Sequence, residues 1–153
     1  MLSPGPIFDA VLSMAGRSGL FRAVVNHEPK AAPSTEQGLL TFSLVAGPLV
    51  PSTTSGLATV TYRWQLIGRV YTGMLTEPQD VIDPALMNAA GQLMSLLAGE
   101  FTLGGLVRQV DLFGAYGEPL TCAPGYIGID SKLFRTADLL IPLIIDDVDQ
   151  EIA

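Results

Sequence analysis

Residues 71–101 read YTGMLTEPQDVIDPALMNAAGQLMSLLAGEF, and this stretch decides how the rest of the chain is arranged. A polar, proline-marked approach (Thr76, Glu77, Pro78, Gln79, Asp80) leads into the strongest helix signal in the sequence. Asp83 followed by Pro84 reads as a helix start. A carboxylate there accepts bonds from the free N–H groups of the first turn, and proline at the first helical position sacrifices none. Ile82, Leu86, Ala89, Leu93 and Leu97 then step by four, three, four and four, which draws one apolar stripe along a helix. Gly99 stands where helices commonly stop in a left-handed turn. Residues 86–97 carry no charge at all, whereas a helix with a free outer face usually does. The expectation is a helix covered by its own sheet and, on a second side, by a neighbouring subunit.

At 153 residues the chain suits one domain, large enough to bury a core without disulfide or metal staples. Hydrophobic residues make up 48% and charged ones 15%, with a mean hydropathy of +0.41. That excess of apolar residues points to surface buried between subunits. The net charge is −7 and the eight Lys and Arg are scattered, which argues against a surface that neutralises DNA or RNA phosphates. Cys122 is the single cysteine, so no internal disulfide and no cysteine zinc cluster is expected. The opening MLSPGPIFDAV lacks a basic leading segment and holds Pro4, Pro6 and Asp9, unlike a secretory signal. Residues 37–62 exceed the ~20 needed to cross a bilayer. They are broken by Pro48, Pro51 and the polar run 52–56 and they alternate at period two, so no membrane span is expected. A soluble protein made in a cytoplasm is the reading.

Around the central helix the chain reads as strands. Ser3 and Pro4 open a short first helix with Ile7, Phe8, Val11 and Leu12 on one face, ending near Gly16 or Gly19. Residues 20–27 (LFRAVVNH) read as a first strand, and 30–37 as a polar loop. Residues 39–50 form a strand that reaches an edge or bends near Gly47 and Pro48. The clearest strand spans 57–71. Ala58, Val60, Tyr62, Trp64, Leu66 and Val70 lie on one face, and Thr59, Thr61, Arg63, Gln65 and Arg69 on the other. Such alternation marks a sheet with one buried face and one wet or partner-facing one. After the helix, 106–113 alternates as a strand and 114–125 reads as loop. Residues 126–130 and 132–145 form a hairpin around Asp130 and Ser131, whose long second arm Pro142 pushes to an edge or a strand end. The expected fold is α+β: a mostly antiparallel β-sheet with two helices packed on one face, in a single domain over residues 1–153.

Chemistry is sparse along this chain. His27 is the only histidine, and Glu28 beside it points to the other face of a strand. No nucleophile elbow, phosphate loop or dinucleotide-binding glycine pattern is present. Asp146, Asp147, Asp149 and Glu151 form an acidic end without the central glycine or length of a calcium loop; it reads as a solvated terminus or a contact segment. Glu77 and Asp80, flanking Pro78, read as first-turn acids that complement the helix dipole. The sequence points to no catalytic residue, no metal and no cofactor, and to a protein that is not an enzyme.

Four segments carry a resemblance: VVNHEPKAAP (24–33), RVYTGMLTEPQDVIDPALM (69–87), FTLGGLVRQVDLFGA (101–115) and LLIPLIIDD (139–147). Together they resemble the small tail terminator (tail completion) proteins of long-tailed actinobacterial phages, over most of the chain. The most specific piece is the helix entrance at residues 77–84. The resemblance implies a β-sheet flanked by two helices, assembled as a homo-oligomeric, hexameric ring in the tail or neck of a virion, put together in the host cytoplasm. Such a ring caps the tail tube, ends its polymerisation and offers a surface to the head–tail connector or stopper. The implied partners are the chain itself, the tail tube protein and the connector or stopper, with DNA passing through the lumen without specific binding. An acidic chain with few cations suits that passage, because a lumen rich in Lys and Arg would hold phosphates. The residues expected at the assembly interface are Thr76, Glu77, Pro78, Gln79, Asp80, Asp146, Asp147 and Asp149. Alternative readings are another neck component, or a small ligand-binding or enzymatic α+β domain with His27, Glu28 and Cys122 as its reactive groups.

Overall fold

The computed structural model describes residues 3–27, 40–52, 59–73 and 81–150, with side chains in the final strand described as far as Asp146. In chain order the elements are α1 (Pro4–Arg17), β1 (Ala23–Val25), β2 (Thr41–Pro51), β3 (Thr59–Gly73), α2 (Ile82–Gly99), β4 (Gln109–Val110), β5 (Thr121–Ile129) and β6 (Lys132–Gln150). The strands make one six-stranded sheet in the order β1-β2-β3-β6-β4, with β5 also paired to β6. The frame is the antiparallel β3–β6 ladder, which runs from Thr59 opposite Gln150 to Gly73 opposite Phe134. On its other side β6 is shared between β5, along residues 132–140, and β4, at Leu143 and Ile144.

The alternation of β3 sorts the sheet's two faces. Phe42, Leu44, Trp64, Leu66, Val70, Leu139, Ile141 and Leu143 point to one side and meet Ile7, Val11 and Met14 of α1 and the apolar stripe of α2. That stripe is as the spacing requires: Ile82, Leu86, Ala89, Ala90, Leu93 and Leu97 are all buried. Ring contacts join the layers, with Phe8 against Trp64 at 5.6 Å and Phe21 against Phe42 at 5.4 Å between centroids. Gly68 makes room for this packing, since a Cβ there would lie 2.8 Å from the Phe42 ring.

Several expectations are corrected. The sheet is mixed, because β1 runs parallel to β2, with Ala23 opposite Thr41. Residues 26–40 supply the dozen or more positions that a parallel connection needs, whereas a tight turn would have forced antiparallel pairing. Residues 106–113 hold only the two-residue β4, and β5 begins at Thr121, earlier than the hairpin reading placed it. Pro142 lies inside the longest strand and not at an edge. Its carbonyl accepts from the Asp111 N–H at 2.9 Å, so its missing N–H falls on the side where β5 has ended and β4 is about to begin. Pro48 behaves as anticipated: the β2–β3 register slips between Ala46 and Leu49, and a Cβ on Gly47 would meet the Gln65 carbonyl oxygen at 2.7 Å.

The ends of α2 also differ from the sequence reading. Asp83 makes no cap; its carboxylate bonds Arg135 of β6, with Nε to Oδ1 at 2.9 Å. Glu100 ends the helix without a left-handed residue, and the positive φ values come later, at Leu103, Gly104 and Gly105. Among the described residues α2 is covered on one side, with Met87, Asn88, Gly91, Gln92 and Ser95 outward as a neutral face. The Asp130–Ser131 turn is confirmed, with φ of 52° and 64° at the two residues, the geometry of a two-residue hairpin turn that matches strand twist.

Three substitutions test this packing by urea denaturation. Leu86→Ala, from a fully buried site, lowers stability by about 2–5 kcal/mol. Gly68→Ala costs about 1–3 kcal/mol by overpacking against Phe42. Gly91→Ala, whose Cβ would meet nothing within 4 Å on the open face of α2, raises stability by about 0.5–1 kcal/mol.

Candidate assembly surface

The face of the sheet turned away from both helices was expected to be wet or partner-facing, and within the chain itself it carries buried polar groups. Thr61, Arg63, Tyr71, Thr136 and Ile144 are all buried. Arg63 is 7% exposed and its guanidinium is held under the loop that follows β4. Its Nη2 lies 3.8 Å from Oδ2 of Asp111 and donates to the Glu118 carbonyl. Gly117 passes directly over it, so closely that a Cβ there would sit 2.7 Å from the guanidinium carbon. Asp111 in turn accepts from the backbone N–H of Ala115 at 2.8 Å and of Tyr116 at 3.1 Å. One carboxylate therefore faces a buried cation and folds the loop 111–120 on itself, while among the described residues the buried Arg63 Nε has no hydrogen-bond partner.

What this loop presents is apolar. Phe113 is 93% exposed, just ahead of Gly114 at φ 73°. Beside it lies an open groove of about 260 Å³, lined by Phe101, Gln109, Val110, Asp111, Leu112, Phe113 and Ala115. The groove's floor is fixed by the Val110 N–H bonding the Phe101 carbonyl at 2.6 Å, which ties the turn after α2 to β4. Singly exposed apolar residues are ordinary on folded chains; here Phe113 borders the groove, so the two form one largely apolar patch.

Several charges around this end of the sheet are partnered within the chain, while the Glu118 side chain is exposed. Arg108 makes a two-toothed pair with Asp146, which also accepts from Thr61 Oγ1 at 2.9 Å. Arg17 reaches Glu100 at 3.5 Å. Elsewhere Arg69 bonds Asp138 at 2.6 Å and Arg135 bonds Asp83 while stacking on Tyr126. The hydrogen bonds from Arg108 hold the Asp146 carboxyl below the usual carboxylate range, and the pair raises Arg108.

Of the residues expected at the interface, Thr76, Glu77, Pro78, Gln79 and Asp80 lie outside the described residues. Asp146 is engaged with Arg108 and Thr61 and is not a free acid. Asp147 and Asp149 lie in β6, where the backbone of Asp149 faces Val60; the backbone of the acidic end is strand through Gln150. The reactive candidates do not meet. His27 follows β1 at one side of the sheet and Cys122 lies on β5, with β2, β3 and β6 between them, roughly 19 Å at the usual strand spacing. Burial, with Asp138 adding to it, pushes the Cys122 thiol up and away from thiolate chemistry. Glu28 lies outside the described residues. Among the described residues no group of three or more His, Cys, Asp or Glu is placed to hold a metal ion, and no helix is long and apolar enough to cross a membrane. The Arg63–Asp111 pair and Phe113 were missed by sequence reading. The one available signal was an arginine at a strand position with apolar residues on either side.

No family model and no curated protein matches the chain. Among solved structures it is similar to a chain of the "Virion of native gene transfer agent (GTA) particle", at 10% identity and a TM-score of 0.39, over 89% of this chain and 84% of that one.

Two measurements check the electrostatics. Asp111→Ala strands the Arg63 guanidinium and lowers stability by about 3–5 kcal/mol, with faster proteolysis within 111–120 under native conditions. Asp146, whose folded pKa is depressed, contributes stability that is complete above the ordinary aspartate range and is lost as pH falls through the lower folded value. Asp146→Asn is accordingly less stable than wild type at neutral pH, and the two urea midpoints converge in acid. A difference that persists undiminished in acid contradicts the pairing.

Proposed function

We propose that this chain is a structural protein of a virion, a ring-forming tail terminator that caps the tail tube, ends its growth and joins it to the head connector. The observation that carries the reading is the aromatic, apolar end surface at Phe113 and Phe101, whose neighbouring ionic groups are neutralised within the chain. Catalytic surfaces are built from unspent polar groups converging on a pocket; here the arginines Arg17, Arg63, Arg69, Arg108 and Arg135 are consumed in ion pairs with acids of the same chain. The four resembling segments support the same reading, and two of them, 101–115 and 139–147, contribute Phe101, Phe113, Asp111 and Asp146 to this end of the subunit. The separation of His27 from Cys122 weighs against an enzymatic alternative, and we take the chain not to be an enzyme.

In this role the subunits form a hexameric ring, and the surplus of acids with few unpaired cations lets DNA pass the lumen without being held. The tail tube protein and the connector or stopper are the partners, and the helix entrance at Glu77 and Asp80 is a contact segment.

The test uses purified protein mixed with tail tubes, together with a phage lacking the gene. Caps on tube ends in negative stain and tails of uncontrolled length without the protein are expected. Binding to portal or adaptor but not to tube would reassign it to another neck position. A chain that joins neither would overturn the virion reading. Glu77→Lys with Asp80→Lys weakens capping while the subunit's melting curve is retained; loss of folding there, or unchanged capping, counts against the contact.

A further inference from the structure

The segment 115–119 crosses the sheet without burying a side chain in it. Ala115, Tyr116, Gly117, Glu118 and Pro119 are all exposed, whereas Leu120 behind them belongs to the core and Leu112 ahead of them packs against it. Beneath the segment Arg63 is buried with its Nε unpartnered. We infer that residues 117–119 are a flap latched by Arg63, which opens and closes in the folded protein and on opening delivers the Arg63 guanidinium to the surface. The inference goes beyond the terminator reading, since it concerns one subunit and needs neither a tail tube nor a ring.

Hydrogen bonds divide the loop into a part that holds itself and a part that does not. From Asp111 to Tyr116 the chain closes on its own first residue. The Asp111 carboxylate accepts from the Ala115 and Tyr116 N–H groups, and its carbonyl accepts from the Gly114 N–H at 3.4 Å. Asp111 is anchored in turn, donating its N–H to the Pro142 carbonyl at 2.9 Å. Tyr116, whose side chain also interacts with Arg108, belongs to this self-held part. The flap has less. Among the described residues its one hydrogen bond to β3 is the Glu118 carbonyl accepting from Arg63 Nη2. The Pro119 carbonyl accepts from the Thr121 hydroxyl at 2.9 Å, which fixes only the end where the flap rejoins β5. A segment with no buried side chain and a single bond to the sheet is where local opening costs least.

The latch is incomplete when shut. Arg63 Nη2 stands 3.8 Å from Asp111 Oδ2, too far for a hydrogen bond, and Nε has no partner. The closed flap therefore hides donors that water would satisfy. Opening gives them to water in exchange for the one bond to Glu118, which keeps the closed and open forms close in free energy. Closed, the flap shows solvent the Glu118 carboxylate; open, it adds a guanidinium, so a partner carrying an anionic group selects the open form.

Phenylglyoxal, which reacts with accessible guanidinium groups, tests the flap when modified arginines are read by peptide mass spectrometry at low conversion. In wild type Arg63 is modified more slowly than the exposed Arg22, at a rate that stays level as urea rises below the unfolding transition. That is the signature of a local opening that exposes little surface. Gly117→Ala, whose Cβ would sit 2.7 Å from the guanidinium carbon, speeds Arg63 modification at least about tenfold, because whichever group gives way breaks the Glu118 bond. In both proteins the Ala115 and Tyr116 amides keep their protection from hydrogen exchange, since the turn held by Asp111 stays folded. Arg63 as reactive as Arg22, Arg63 reacting only as fast as global unfolding allows, a rate untouched by Gly117→Ala, or protection at 115 and 116 lost along with the gain in reactivity would each overturn the flap. The wild-type urea series needs no variant, so it decides the matter even where Gly117→Ala fails to fold. Tube capping is scored separately.

Discussion

The β3–β6 ladder is the constraint on which the rest of the molecule depends. It is long enough that no second strand covers the far side of β6 in full, so β5 and β4 divide it, and the break between them falls at Pro142. A proline on that side costs no ladder bond. On the face turned away from the helices Arg63 would meet water. The chain covers it with the loop 111–120, and a loop long enough to reach across has a tip to expose. Phe113 stands at that tip.

Ion pairing follows from that geometry more than from any need for stability. An arginine taken from water must be matched by a carboxylate and further acceptors, and Arg63 has Asp111 and the Glu118 carbonyl. Arg108, half exposed, needs less, and Asp146 with Thr61 supplies it. With Arg17, Arg69 and Arg135 also paired, five of the six arginines meet acids of the same chain, while Arg22 and Lys132 stay exposed.

The two helices and the main strands were legible because their signals are local. A stripe at helical spacing from Ile82 to Leu97, and strict alternation from Thr59 to Val70, each specify a face without reference to anything distant. The direction of β1 was not legible, since pairing beside β2 depends on where residues 26–40 carry the chain. Nor was the fate of Asp83. A carboxylate before a proline is a good cap by local rules, but Arg135, distant in sequence, offers a charged partner across the hairpin and takes it. The surface at Phe113 was hidden for the same reason: Arg63 lies on β3 while Asp111 and Glu118 lie on the loop after β4, and only the folded sheet brings them together. The acidic end misled in the opposite sense, because a run of aspartates reads as tail while its backbone continues a strand.

The sheet's open edges narrow how such a subunit can associate. Past Ser43, β2 has β3 as its sole neighbour among the described strands, and β5 has β6 alone. Long uncovered edges invite ladder extension from copy to copy, a route to uncontrolled aggregation. Here the β2 edge carries Pro48, Pro51 and the bulge between Ala46 and Leu49, and β5 carries Pro124. Each interrupts the run of donors that an added strand would need. Association through backbone pairing is thereby disfavoured at both edges, while association through side chains remains open at the sheet's end. The two routes differ in kind, because a side-chain surface saturates when its partner is bound, whereas an edge strand regenerates itself with each copy added.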